Sequence, residues 1–157
     1  NLTEEAYYNA DGEMTQKGKF QCDEDGKKTE KIVCSPDGVR LMEYKYKYDE
    51  DGNNTETTYY NVDGEMTKKY KYKYDEDGNM TEWTFYDLDG EMTNKYKYQY
   101  DDDGNKTEWV LSNSDGLEVK YKFQHDVFDK LKNWTVGTTY LDDKIKNITE
   151  REIEYYK

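Results

Sequence analysis

The sequence predicts an all-β protein, an antiparallel up-and-down meander of about twelve strands that is extended and twisted as a single layer or partly folded over. Asp-Gly recurs with glycine spacings that alternate between 14 and 12 residues from Gly12 to Gly116. Between these turns aromatic and charged residues alternate, as along Tyr70–Tyr74. Asp-Gly between alternating segments is a strong hairpin signal, and the 26-residue period is typical of a repeat protein.

The 157 residues form one repeat domain with three parts. Residues 1–43 hold diverged repeats, residues 44–116 hold the regular ones, and residues 117–157 hold degenerate hairpins. In the last part we interpret His125-Asp126 as the counterpart of the Tyr-Asp pair and Asp129–Thr135 as a turn with extra residues. Asp142-Asp143-Lys144 is the expected last turn. Residues 150–157 have mixed propensity, and we favour a strand there over a helix.

The register follows from two choices of loop. Asp63-Gly64 and Asp89-Gly90 are treated as two-residue type I′ turns, and Glu76–Asn79 as a four-residue loop. Tyr72 then lies opposite Trp83, and Lys73 opposite Glu82. The aromatic face is expected to carry Tyr70, Tyr72, Tyr74, Trp83, Phe85, Tyr96, Tyr98, Tyr100 and Trp109, and the charged face Glu56, Lys71, Lys73, Glu82, Lys97 and Glu108. A one-residue slip would place lysines against tryptophans, so the pattern specifies the register.

Composition excludes several classes of protein. A net charge of −13 with 38% charged residues is typical of disorder, but 18 Tyr, three Trp and a single Pro argue against it. The acidic balance argues against nucleic-acid partners, because phosphate binding needs a cationic surface. No apolar run approaches the length of a membrane span. The chain begins at Asn1 without Met, which a removed signal peptide or a trimmed chain would both explain.

The segments Tyr48–Thr55, Tyr74–Thr81 and Tyr100–Thr107 share the pattern Tyr-Asp-x-x-Gly-x-x-Thr. This pattern resembles YD (Rhs-type) repeats, although the 26-residue unit is longer than the usual period of that family. The hairpins also resemble MORN-type repeats. Both resemblances imply a repetitive antiparallel sheet. The YD resemblance alone implies a bacterial protein that is secreted or at the cell surface.

Catalytic, metal and cofactor sites are not expected. Asp49–Asn53 resembles part of a calcium loop, but Lys47 and Thr58 stand where an EF-hand needs an acidic ligand. The lone His125 has no Ser or Cys partner in a readable motif, and no carboxylate pair is isolated in an apolar setting. The sequence therefore predicts a protein that is not an enzyme.

Two other patterns are assigned to structure. Cys22 and Cys34 map to opposite faces of adjacent strands, too far apart for a disulfide, so two free thiols are expected. The six Asn-x-Ser/Thr sequences coincide mostly with turns, where Asn and Thr are favoured, and we interpret them as turn chemistry rather than as glycosylation sites.

The aromatic face is the candidate functional surface. It either forms the core, covered by curling, by a second sheet or by self-association, or it stays exposed and binds a glycan or another surface protein. The candidate ligand-binding residues are Tyr72, Trp83, Tyr96, Tyr98, Trp109 and Trp134. The alternative function is a structural spacer, scaffold or fragment of a larger YD-repeat shell with no ligand of its own.

Overall fold

The computed structural model describes residues 2–129, 131 and 133–153, without the side chains of Leu2 and Trp134. Within these residues the chain is all β and forms one open antiparallel sheet whose strands lie in sequence order, which confirms the predicted meander. The strands are β1 (Leu2–Tyr8), β2 (Met14–Cys22), β3 (Lys28–Cys34), β4 (Arg40–Tyr48), β5 (Asn54–Tyr60), β6 (Met66–Tyr74), β7 (Met80–Tyr86), β8 (Met92–Tyr100), β9 (Lys106–Asn113), β10 (Glu118–Phe128), β11 (Trp134–Leu141) and β12 (Lys144–Glu150).

The sheet is a single layer. Each strand contacts only the strands that precede and follow it in the sequence, within the described ranges. The accessible surface is 11,018 Å², whereas a compact monomer of 18.8 kDa exposes about 8,300 Å². The buried residues include Phe20 and Val33 but also Glu43 and Thr84, so burial arises beneath long neighbouring side chains rather than in a core between layers.

The Asp-Gly turns differ from the prediction in their type. A type I′ turn needs positive φ at both central residues, but in these turns only the glycine has it, with φ of 81° at Gly64 and 82° at Gly78. Each is a three-residue connection in which the Gly amide donates to the carbonyl three residues earlier, as from Gly64 to Asn61 at 3.2 Å. A β-bulge follows at the start of the next strand. The type I′ prediction is therefore wrong for these turns.

The predicted register is nevertheless confirmed. Tyr72 pairs with Trp83 and Lys73 with Glu82. Trp83 in turn pairs with Tyr96. The three-residue turn and the bulge together shift the pairing by the same amount as the loop lengths assumed from the sequence. The alternation of 14 and 12 residues arises because strands β2, β4, β6 and β8 have nine residues and strands β3, β5 and β7 have seven.

The counterpart of the Tyr-Asp pair in the last part of the chain is Phe128-Asp129, so the assignment of His125-Asp126 was wrong. The Asp129 amide donates to the Asn133 carbonyl at 2.9 Å, as the Asp101 amide does to Asn105 in the regular turn. The turn itself has no extra residues. They lie in β10, which has eleven residues and two register shifts against β11.

The last hairpin contains the type I′ geometry that was expected elsewhere. Asp142 and Asp143 have φ of 48° and 62°, and Leu141 pairs with Lys144 across them. The final strand ends at Glu150 and residues 151–153 are not in a strand, so the strand predicted over residues 150–157 lies too late in the chain. Residues 154–157 lie outside the described part.

Candidate functional site

Aromatic side chains form a continuous row across the middle of the sheet on one face. Their ring contacts run strand by strand from β4 to β10. We define the aromatic face by the members of this row and their neighbours on the same strands: Tyr44, Tyr46, Tyr59, Tyr70, Tyr72, Trp83, Phe85, Tyr96, Tyr98, Trp109 and Tyr121. The face predicted from the sequence is therefore present, and it extends beyond the predicted residues at both ends.

The rings pack against one another rather than lying flat on the sheet. In the first half of the row the contacts are edge to face, as between Tyr59 and Tyr70, whose centroids are 5.2 Å apart at 73°. In the second half the planes are closer to parallel, and Trp109 and Tyr121 stack at 4.4 Å and 11°. Strands are about 4.8 Å apart. Rings stacked at that spacing along the row turn their faces to each other and their edges to solvent.

The candidate ligand-binding residues occupy the centre of this face. Tyr72, Trp83, Tyr96, Tyr98 and Trp109 are all half-buried. Trp134 starts β11, but its side chain lies outside the described part of the chain. The face is thus neither a sealed core nor a set of freely exposed rings. Burial, and then the nearby phenols of Tyr59 and Tyr44, raises the pKa of Tyr46 to about 12, which shows how strongly this surface disfavours charge.

A row of tyrosine hydroxyls at one margin of the sheet was not foreseen from the sequence. Tyr48 donates to the Lys28 carbonyl at 2.8 Å, and Tyr74 to the Asn54 carbonyl at 3.0 Å. Tyr100 donates to the Met80 carbonyl at 2.9 Å. Each bond leaves the tyrosine's own hairpin and reaches the hairpin before it. The spacing of 26 residues between these tyrosines was the available signal, and Phe128 lacks the hydroxyl at the equivalent place.

The aspartate that follows each of these tyrosines caps a turn. Asp75 Oδ1 accepts from the amides of Asp77 at 3.1 Å and Asn79 at 2.8 Å. Burial alone would raise the pKa of Asp49, but hydrogen bonds from the amides and side chain of Asn53 and its neighbours lower it. The oxygens of these aspartates are therefore occupied by the turn. No group of acidic, His or Cys side chains suited to a metal ion occurs among the described residues.

The opposite face carries the predicted cross-strand ion pairs. Lys47 lies 2.9 Å from Glu56, and Lys73 lies 3.2 Å from Glu82. Burial alone would raise the pKa of Glu82, but the hydrogen bond and charge of Lys73, with the charge of Lys95, hold it below its ordinary value. Tyr60 and Tyr86 also lie on this charged face, under lysine ammonium groups.

Other sequence candidates have structural surroundings. His125 pairs with Gly137 in the middle of a strand, and its ring lies 6.4 Å from that of Phe128. Cys22 and Cys34 are both free thiols, as predicted, and each pairs with a residue of another strand. In the described ranges no helix is long and apolar enough to cross a membrane.

No protein-family model and no curated protein matches the sequence. Among solved structures, TcdB2-TccC3 crystallised with Cdc42 matches at 13% identity and a TM-score of 0.47, over 94% of this chain and 9% of that chain. A protein of unknown function from Bacteroides fragilis matches at 13% identity and a TM-score of 0.38, over 96% of this chain and 92% of its own. A DUF3836 family protein from Bacteroides vulgatus matches at 15% identity and a TM-score of 0.25, over 75% and 97% of the two chains.

This chain therefore spans 9% of the length of the TcdB2-TccC3 chain that it matches. At these identities and TM-scores the matches support no inference about activity, substrate or partner. The fold itself is a β-repeat sheet, and the YD and MORN resemblances are supported to that extent. The proposals below rest on the residues of this chain.

Proposed function

We propose that the protein is a non-enzymatic interaction module whose aromatic face packs against an apolar protein surface. The observation that carries this proposal is a continuous aromatic row, half-buried and without a covering layer, across strands β4 to β10. The sheet exposes about 2,700 Å² more than a compact monomer of its mass would. Standard protein interfaces bury about 1,200–2,000 Å² in total, so the excess is large enough for one.

The packing of the rings favours a protein over a glycan on this face. Sugars bind aromatic residues through the flat face of the ring, but here those faces are used in ring–ring contacts. Tyr96 and Tyr98 stack at 9°, and Tyr72 lies at 22° to Trp83. The solvent therefore meets ring edges and hydroxyl groups. Such a surface is rigid and amphipathic, as is typical of protein-binding patches rich in tyrosine.

The alternative is a scaffold with no ligand of its own, for instance a segment of a larger YD-type shell. One observation favours it: the tyrosine hydroxyls of β4, β6 and β8 join successive hairpins, so part of the aromatic content serves the sheet itself. In both cases the resemblance to YD repeats leads us to propose a bacterial protein that is secreted or held at the cell surface.

The test compares one substitution on the two faces. Tyr98→Lys places a charge on the aromatic face, whereas Tyr86→Lys makes the same change on the charged face. Both variants and the wild type are immobilised and exposed to the secreted and surface proteins of the source bacterium. Sedimentation velocity of each protein alone shows whether a second copy is the partner. Circular dichroism and melting confirm that each variant is folded.

An interaction module predicts that the wild type and Tyr86→Lys retain the same defined partner, or the same self-association, and that folded Tyr98→Lys loses it. The reason is that an unpaired ammonium group buried at an interface is strongly unfavourable. Equal behaviour of all three proteins would contradict the proposal and support the scaffold.

A further inference from the structure

The ion-pair pattern of the charged face is interrupted once, between β8 and β11. In the two preceding hairpins a lysine of the first strand pairs with the central glutamate of the second, Lys47 with Glu56 and Lys73 with Glu82. In the β8–β9 hairpin the residue paired with Glu108 is Gln99. Glu108 instead forms its ion pair on the other side, with Lys120 of β10 at 2.6 Å. A long cationic side chain is thus replaced by a shorter neutral amide.

A cavity of about 420 Å³ lies at this interruption. Gln99 and Glu108 form one side, Lys122 and Gln124 of β10 the next, and Tyr140 and Asp143 the far side. Its volume falls within the range of about 300–1,000 Å³ that is typical of small-molecule sites. It opens on the charged face, opposite the aromatic face, and so does not belong to the surface proposed above.

The last turn builds the far wall of the cavity. Positive φ at Asp142 and Asp143 makes this turn the tightest of the sheet. The Asp142 amide donates to the Lys120 carbonyl at 3.0 Å, which holds the turn against β10. Asp143 then reaches Lys122, and their charged atoms are 2.5 Å apart. The Tyr140 hydroxyl donates to Gln124 Oε1 at 3.3 Å, which restrains the aromatic side chain of this wall.

The charges around the cavity are matched in pairs. Lys120 neutralises Glu108, and Lys122 neutralises Asp143. Hydrogen-bonding groups remain: the exposed amide of Gln99, the hydroxyl of Thr107 and the second carboxylate oxygen of Glu108. An anion would meet the two acidic groups and a cation the two lysines. Neutral ligands with several hydroxyl groups can donate to the carboxylate, exchange hydrogen bonds with the amide and pack against the tyrosine.

We propose that this cavity binds one unit of a neutral saccharide, with Gln99 and Glu108 as the hydrogen-bonding residues and Tyr140 as the aromatic wall. The identity of residue 99 is decisive. The lysine found at the equivalent places in the other hairpins is longer, carries a charge, and would pair with Glu108 across the cavity floor.

The experiment is a titration of the ¹⁵N-labelled full chain with cellotetraose, chitotetraose and maltotetraose at millimolar concentrations, followed by amide chemical shifts. Gln99→Lys restores the residue type of the other hairpins and should leave the fold intact. Lys73→Gln makes the reverse change at the equivalent position, where no tight turn forms a wall. Melting temperatures of both variants confirm folding.

We expect at least one saccharide to shift the amides of β8, β9 and β11 around the cavity in the wild type. Gln99→Lys should weaken that binding by tenfold or more, because the amide contacts are lost. Lys73→Gln should bind as the wild type does, with no new shifts near Glu82. Absence of saturable shifts with all three saccharides, shifts confined to the aromatic face, or undiminished binding by Gln99→Lys would each overturn the proposal.

Discussion

The hydroxyl of Tyr74 is expected to stabilise the sheet by joining two hairpins. It donates to the Asn54 carbonyl at 3.0 Å in a partly buried setting. Tyr74→Phe removes the donor, keeps the ring, and leaves that carbonyl without this bond. A neutral hydrogen bond contributes about 0.5–1.5 kcal/mol, so we expect the free energy of unfolding to fall by about 1 kcal/mol.

The same substitution can be made at three places at once. Tyr48 and Tyr100 make the equivalent bonds, and successive bonds are two strands, or roughly 10 Å, apart. Effects at that separation add, so the triple Phe variant should lose about 3 kcal/mol. With a urea m-value of about 2 kcal/mol/M, the midpoint of urea unfolding would fall by about 1.5 M.

The assay is urea unfolding followed by circular dichroism and by tryptophan fluorescence, so that coincident transitions verify two-state behaviour. Tyr60→Phe and Tyr86→Phe are the matched controls. Both residues precede turns but lie on the charged face, where lysines cover their rings. The controls should change the free energy of unfolding by less than about 0.5 kcal/mol. A triple variant that loses less than this amount would refute the role assigned to the hydroxyl row.

Three further predictions concern the turns and the titrating groups. Asp75→Ala should destabilise the protein by about 1 kcal/mol in urea unfolding, because its carboxylate caps two amides, whereas Asp77→Ala in the same turn should have little effect; equal losses would contradict the capping role. The folded-state pKa of Glu82 lies below its ordinary value of 4.5, so the stability that it contributes is present above that pH and lost as the pH falls through the folded-state pKa. The urea midpoint of Glu82→Gln should therefore decline less steeply below pH 4.5 than that of the wild type, and parallel declines would show that Glu82 is not responsible. The pKa of Tyr46 is raised from 10.0 to about 12, so its contribution is present below pH 10 and lost as the pH rises towards 12; Tyr46→Phe should flatten this alkaline decline in stability, and an unchanged profile would exclude Tyr46 as its source.

The register could be derived from the sequence although the turn type could not. Cross-strand pairing fixes which residues lie opposite one another, and the aromatic and charged alternation satisfies it in one way only. The geometry of the turn depends on where the following strand bulges. The bulge falls at a threonine, as at Thr67 and Thr81, and threonine carries no strong sequence signal for a bulge.

The layer structure was also beyond local reasoning. A single sheet and a folded-over sheet have the same alternation and the same turns, and they differ only in what covers the aromatic face. The sequence therefore left both open. Similarly, Gln99 is conspicuous only beside Lys47 and Lys73, and its cavity requires the short turn at Asp142-Asp143 to come close in space. The bulged β10, which moved the last Tyr-Asp counterpart to Phe128, follows from two inserted residues whose position in the strand the repeat cannot specify.

The division of tyrosines between the two faces follows from the use of one turn at both edges. Tyr74 and Tyr60 both immediately precede such a turn, yet Tyr74 bonds a carbonyl at the aromatic margin and Tyr60 lies under Lys45 on the charged face. Superposing a hairpin at one edge on a hairpin at the other requires a half-turn about an axis in the sheet, perpendicular to the strands. That rotation exchanges the two faces. Because the turn has a fixed hand, the residue before it must point to opposite faces at opposite edges, and an identical Tyr-Asx pair supplies one face with a bridging hydroxyl and the other with a ring that covers lysine.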